Sequence, residues 1–353
     1  MQIGVILGTL PITSILFQPV WSYLSDVLNT RKVLLVVGCV GVSVSMAGIG
    51  LSGSFWGVFL SAIAYSIFIA PIGSISTAAV LDYLEAESIP EAFSLIRVWG
   101  SVAFGVSSLV MGSLLLEHIL DYFSWIVAGI YLLLAGLSLT FAKDEKGIST
   151  NDLRGLGALR TNRTLILFLV SMVFIGATLQ ISINYQTLFL QSLDAVDLLI
   201  GIVVSIQALL EVPMMFAVPM LLRTFSMRSI ILAGAAILPV RWLLYFLIRD
   251  PFWMLPVQIL NGVTSVSFDV VGVSFIDTQV PREWRATGQG LYGIIFHGIG
   301  PSLGLFMAGG VLDLLDVRSI WGLNMVLGVI GLALVFVALW RFSEPCKSSA
   351  GES

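Results

Sequence analysis

Long apolar runs cut by short polar ones make up almost the whole chain. A helix needs about 20 apolar residues to cross the hydrocarbon core of a bilayer, and that length predicts a first span near residues 3–24. No charge falls between Val33 and Leu81. That run is too long for one crossing, and Ser52-Gly53-Ser54 supplies a turn, so helices are expected at about 33–51 and 55–82. An acidic loop leads to a span at about 91–116, and another follows at 122–142. Residues 143–163 are then polar and basic, rich in Gly, Ser, Thr and Asn. Beyond them, spans are expected near 164–190, 197–222, 229–247, 252–280, 286–312 and 319–341. The pattern predicts an all-α integral membrane protein with an N-terminal bundle over 1–142, a linker over 143–163, a C-terminal bundle over 164–342 and a tail over 343–353.

Composition agrees. Of the 353 residues, 58% are hydrophobic and 11% charged, where a soluble domain carries about 25% charged residues; mean hydropathy is +1.01. Residues 1–25 carry no charge, so they lack the basic start of a signal peptide and read as a mature helix. Of the 17 Lys and Arg, Arg97 and Arg241 fall within spans. If alternate loops face opposite sides and the linker is cytoplasmic, only Arg249 and Arg318 lie outside. That asymmetry places the C-terminus in the cytoplasm of a multi-pass cell-membrane protein. The net charge of −4 points to no partner, and no nucleic acid is expected. The two histidines, His118 and His297, cannot build a histidine-rich metal centre, and Cys39 and Cys346 lie too far apart to suggest a disulfide framework. No cofactor is expected. The chain holds no GxSxG elbow, HExxH site or Walker A loop, so an enzyme is not expected.

The two halves echo each other. Leu120-Asp121 recurs as Leu315-Asp316, Ser124 as Ser319, GLSLTF at 136–141 as GLALVF at 331–336, and Asp82 as Asp277. Under this repeat the first half falls one helix short of the second, so a helix before Met1 is expected.

The loop WSYLSDVLNTRK, with Asp26, Arg31 and Lys32, resembles the signature between the second and third helices of the major facilitator superfamily, although Ser22, Val27 and Asn29 depart from it. IRVWGSVAF (96–104) resembles the fifth helix of the phenylpropionate permease group and, more distantly, of lactose permease. ALLEVPMMF (208–216), Arg241-Trp242 and GQGLYGIIFHGIG (288–300) are similar to the same group's eighth, ninth and eleventh helices. The resemblance implies a major facilitator fold with eleven of its twelve spans, two pseudo-symmetric bundles, and transport by alternating access. It also implies that Arg97 holds substrate with Asp82 as its partner, and that Asp26, Arg31 and Lys32 form a gating loop.

Ionisable residues inside a membrane are costly, at least about 2.5 kcal/mol for a central arginine on insertion scales. Those here are Arg97, Glu211, Arg241, Asp269 and His297, with Asp82 and Asp277 at helix ends. Arg97 reads as an anion or hydroxyl clamp, or as a side chain snorkelling to the interface. Glu211 is expected to carry a proton or a partner, because burial disfavours its charged form; it reads as a proton carrier or as a structural partner of Arg241. Asp269 lies in a helix made polar by Asn261, Thr264, Ser265 and Ser267 and is the other candidate carrier. His297 is a candidate for the same machinery or a packing residue. Gln180, Asn184 and Gln186 could bond substrate or neighbouring helices, and Trp99 and Tyr292 could stack on a ring. The expected function is proton symport of a small organic solute, sugar-like or aromatic-acid-like, by a monomer in the bilayer. The rivals are drug or metabolite efflux and a truncated paralogue that does not transport.

Overall fold

Apolar runs become helices throughout the part of the chain that the computed structural model describes, residues 2–28, 31–86, 93–114, 122–140, 162–280 and 285–341, and no strand occurs among these residues. The first helices are α1 (Gln2–Leu28), α2 (Arg31–Leu51), α3 (Phe55–Ala86), α4 (Phe93–Leu114) and α5 (Phe123–Ser138). They are followed by α6 (Arg163–Ser192), α7 (Asp197–Thr224) and α8 (Met227–Leu247). Each stands at the position of an expected span, and Ser52–Ser54 form the break between α2 and α3.

The last expected spans are less regular. After a 3₁₀ turn at Pro251–Trp253 come α9 (Met254–Val257), α10 (Ile259–Ser265), a π-helical segment at Val266–Gly272 and α11 (Val273–Gln279). The next span joins α12 (Arg285–Ile294), a second π segment at Ile295–Ile299 and α13 (Gly300–Leu314). The final helix is α14 (Ser319–Arg341). Among the described residues, nine helices are long and apolar enough to cross a membrane.

By contact, the chain divides into two compact units. One holds Met1–Thr150, Leu190–Leu209 and Leu305–Asp313; the other holds Asn151–Phe189, Leu210–Gly304 and Leu314–Ser353. In the first unit α2 packs on α3 and α5, and α1 on α3. Small residues make this possible, since apolar area gives no advantage to helix association in lipid and close approach decides it. Gly41 lies directly against the Phe68 ring. Interhelical hydrogen bonds add to the contact: Trp21 Nε1 donates to Ile67 O (2.9 Å), Ser66 Oγ to Leu10 O (2.5 Å) and Ser43 Oγ to Ala128 O (2.8 Å).

The second unit packs α8 against α14 and against the first π segment. Its core is aromatic: Trp242 and Trp321 stack at 5.9 Å, and Tyr245 meets Trp321 edge-on at 4.6 Å. Gly176 rests on the Phe296 carbonyl, and Gly300 and Gly304, four residues apart, press on Val173 and Ala177 of α6. Asn162 caps α6, its Oδ1 accepting from Leu165 N (3.1 Å), while its Nδ2 donates to Gln279 O (3.1 Å) at the end of α11.

Candidate functional site

The second unit buries its polar groups along one line. It starts from α8, where Arg241 and Tyr245 stand one turn apart and so share a face. The Arg241 side chain is fully buried. Its Nη1 donates to Asn261 Oδ1 (2.7 Å), and its Nη2 to Tyr245 Oη (3.2 Å) and Gln258 Oε1 (3.2 Å). The guanidinium also lies over the rings of Trp242 (4.8 Å) and Tyr245 (5.5 Å). Stacking of this kind suits arginine, whose planar and weakly hydrated head tolerates burial better than an ammonium. Every hydrogen-bond partner of Arg241 among the described residues is neutral.

The line continues in both directions. Tyr245 Oη accepts from Gln258 Nε2 (2.9 Å) and donates to Gln186 Oε1 (3.2 Å) on α6. Asn261 Nδ2 donates to Glu211 Oε1 (2.9 Å) on α7. Four helices thus contribute to one chain of hydrogen bonds running from Gln186 to Glu211. With its oxygen turned to Arg241, Asn261 must turn its amide hydrogens to Glu211. The buried positive charge therefore reaches a carboxylate through one oriented dipole, an arrangement that the low interior dielectric strengthens.

A second cluster lies further along the same composite helix. Asp269, in the first π segment, is exposed, and its Oδ2 accepts from Ser265 Oγ (3.0 Å). Tyr292 is buried, and its hydroxyl donates to the carbonyl of Phe268 (2.7 Å), the residue before Asp269. A π turn shifts the backbone ladder from i→i+4 to i→i+5 and can leave a carbonyl for such use; π turns recur at functional sites. His297 lies in the second π segment, exposed, with its ring edge-on to Phe296 at 4.8 Å. Two ionisable residues picked out in the sequence thus both sit in π segments.

The other expected site residues fall out as follows. Gln186 joins the ladder, whereas Asn184 Nδ2 donates to Gln180 O (2.9 Å) within α6. Trp99, on α4, is 72% exposed. The side chains of Arg97, Asp82, Asp26 and Arg31 lie outside the described residues; Lys32 is partly buried. Asp277 Oδ1 accepts from Gln289 Nε2 (2.7 Å), tying α11 to α12. Two members of the ladder, Tyr245 and Gln258, were not anticipated. The signal was present in the spacing of Gln258, Asn261, Ser265 and Asp269, which marks a polar stripe at helical period.

The pattern of the MFS_1 like family runs through residues 1–337. The chain belongs to that family. Its major facilitator relatives include the transporter YwbF of Bacillus subtilis (strain 168), 26% identical over 337 residues, which covers 94% of this chain and 83% of the relative. The nucleoside permease NupG of Escherichia coli (strain K12) is 24% identical over 280 residues, 71% of this chain and 66% of that protein. The maltose permease of Geobacillus stearothermophilus is 23% identical over 363 residues, covering 99% of this chain and 87% of the relative. The crystal structure of NupG superposes with a TM-score of 0.84 over 97% of this chain and 90% of that one, at 20% identity. The expected major facilitator fold is confirmed by that likeness. The protein is a multi-pass membrane transporter of small solutes, and the relatives are permeases and transporters rather than enzymes.

Proposed function

We propose that this major facilitator protein is a proton-coupled importer of nucleoside-like solutes. The observation that carries the reading is the Arg241–Asn261–Glu211 relay, a mid-span carboxylate held by an amide that a buried cation orients. A group that must bind a proton on one side of a membrane and release it on the other needs such a controlled setting. The nucleoside class draws on relatives named as nucleoside and xanthosine permeases. A nucleoside also unites the two chemistries expected from the sequence, sugar hydroxyls for amides and carboxylates and a flat ring for aromatic side chains. The likeness to the phenylpropionate and lactose permease group supports the same pairing of ring and sugar. Arg97, Asp82, Trp99, Asn184 and Tyr292 are the proposed substrate residues, Glu211 or Asp269 the proposed proton carrier with Arg241 and His297 in the same machinery, and Asp26, Arg31 and Lys32 the gating loop. The protein works as a monomer in the cell membrane with a cytoplasmic C-terminus.

The test is uptake by proteoliposomes holding the full chain, with labelled uridine, xanthosine, maltose and phenylpropionate offered under an inside-alkaline pH gradient. Accumulation of a nucleoside that a protonophore collapses is the expected result. Accumulation of maltose or phenylpropionate alone overturns the substrate class, and nucleoside uptake indifferent to the pH gradient overturns proton coupling.

A further inference from the structure

At the end of α8 that carries Leu247, the second unit has a groove of about 420 Å³. Leu244, Leu247, Ile248 and Val257 line its apolar part, and Arg249, Asp250 and Trp253 its polar edge. The two charges are neighbours in sequence and differ from other charges at this end of the unit. Arg318 is consumed by the fold: its Nη1 donates to the carbonyls of Phe246 (2.9 Å) and Ile248 (2.7 Å), and its guanidinium lies over Phe189. Arg249 is exposed, and no hydrogen bond or ion pair to a described residue engages it. Asp250 is also exposed; its Oδ1 accepts from Phe252 N (3.0 Å), which fixes the carboxylate at the start of the 3₁₀ turn. Trp253 is 66% exposed and Phe252 62%, the disposition of aromatic residues at the level of lipid headgroups.

We infer that this groove binds a phospholipid with a phosphoethanolamine headgroup, the phosphate on Arg249, the ammonium on Asp250 and an acyl chain along Leu244, Leu247, Ile248 and Val257. The charges decide among lipids. A lone arginine would favour any anionic head, but a fixed carboxylate beside it repels a second negative charge and matches a cation. A phosphate and an ammonium held two carbons apart present both signs to two adjacent residues. A primary ammonium donates hydrogen bonds to Asp250, which a trimethylated one cannot. The apolar wall makes the site one for the intact lipid rather than for the soluble head.

The proposal is tested on the full chain without reference to transport. The protein is equilibrated with equal amounts of phosphatidylethanolamine, phosphatidylglycerol and phosphatidylcholine, and retained lipid is read by native mass spectrometry. Wild type is expected to retain phosphatidylethanolamine about threefold over each of the other two, the scale of exposed charge pairs. Arg249→Gln and Asp250→Asn should each abolish the preference. The second variant keeps an oxygen for Phe252 N, so the turn survives, and a thermal melt verifies that both variants fold. Equal retention of the three lipids by wild type, or an unchanged preference in both folded variants, overturns the proposal. Displacement of the lipid by millimolar glycerophosphoethanolamine overturns its apolar half, because the site would then read the head alone.

Discussion

Asn261 donates to Glu211 at 2.9 Å from the same amide whose oxygen takes a hydrogen bond from Arg241. The mid-span acid and the buried base are therefore joined through a neutral side chain. A direct pair would hold a proton-carrying acid permanently charged. An amide between them lets Arg241 influence Glu211 without neutralising it.

Asn261 should then be more than a packing residue. Asn261→Leu, close in volume, strips Arg241 of one buried acceptor and Glu211 of a donor. A buried polar group left unsatisfied costs about 1–3 kcal/mol, so the variant should melt several degrees below wild type in detergent. Asn261→Asp should recover stability, by pairing with Arg241, and still fail to drive uphill uptake. If Asn261→Leu matches wild type in both melting and pH-driven uptake, the relay has no role.

The contact between Tyr292 and the first π segment yields a second outcome. A Cβ at Gly272 would lie 2.8 Å from Tyr292 Oη. Gly272→Ala should dislodge the hydroxyl from the Phe268 carbonyl and cost about 1–3 kcal/mol, whereas Tyr292→Phe loses only a hydrogen bond, about 1 kcal/mol. Gly293→Ala is the control, since a Cβ there meets nothing within 4 Å. Equal melting temperatures for Gly272→Ala and Gly293→Ala would refute the steric account.

How far the sequence carries this site differs residue by residue. The spans were legible because 20-residue apolar runs between turn signals admit one reading in lipid. Arg241, Glu211 and Asp269 were legible because charge inside such a run is costly. The ladder between them was not, because Tyr245 and Gln258 are uncharged and join it only through packing of α8 on the composite helix. Asn184 and Gln186 look equivalent in the chain. Their rotation about α6 separates them, one bonding its own backbone and the other Tyr245. The π segments around Asp269 and His297 were invisible, because a one-residue shift of the backbone ladder leaves no mark on apolar periodicity.

In the first unit, a Cβ on Gly309 would stand 2.5 Å from the Cα of Gly4. Both neighbours are backbone, so nothing flexible can yield. Gly309→Ala should lower thermal stability by roughly 1–3 kcal/mol, while Gly310→Ala, with open space around its Cβ, should be neutral or gain from the better helix propensity of alanine. Melting curves of the pair decide the matter: loss of stability in both, or in neither, removes the crossing of α1 and α13 as its cause.

Strong acid should weaken the turn before α14. Asp316 Oδ1 accepts from Ser319 N (3.0 Å) and Ser319 Oγ (2.6 Å), and these bonds hold its carboxyl below the usual aspartate range. A depressed carboxyl stabilises the fold above its unfolded value, about pH 3.9, and that contribution is lost as pH falls through the lower folded value. The group is almost wholly exposed, so solvent screens the effect and it is small. Asp316→Asn should retain the turn and melt with a flatter pH profile below about pH 4; a profile identical to wild type would show that the turn does not sense protonation.

The carboxylates Glu211 and Asp269 should divide the work of coupling. Glu211 is partly buried and tied to Arg241 through Asn261, while Asp269 is exposed and held by a serine hydroxyl within its own helix. The first is the better place to hold a proton, because it is partly shielded from water and burial disfavours a bare charge. The second is the better place to meet a solute hydroxyl, because it is accessible and its π turn displaces it from the regular ladder. Glu211→Gln copies the protonated acid in shape and charge. It should abolish accumulation driven by a pH gradient and leave exchange of labelled for unlabelled solute near wild type. Asp269→Asn should instead weaken both, through an apparent affinity lowered about tenfold if one charge-assisted hydrogen bond is lost, while still allowing uphill uptake at high solute. The two assays together separate the roles. If Glu211→Gln accumulates solute against its gradient, Glu211 is not the proton carrier. If Asp269→Asn alone loses coupling with its affinity intact, the assignments are reversed, and the proton travels by the π segment.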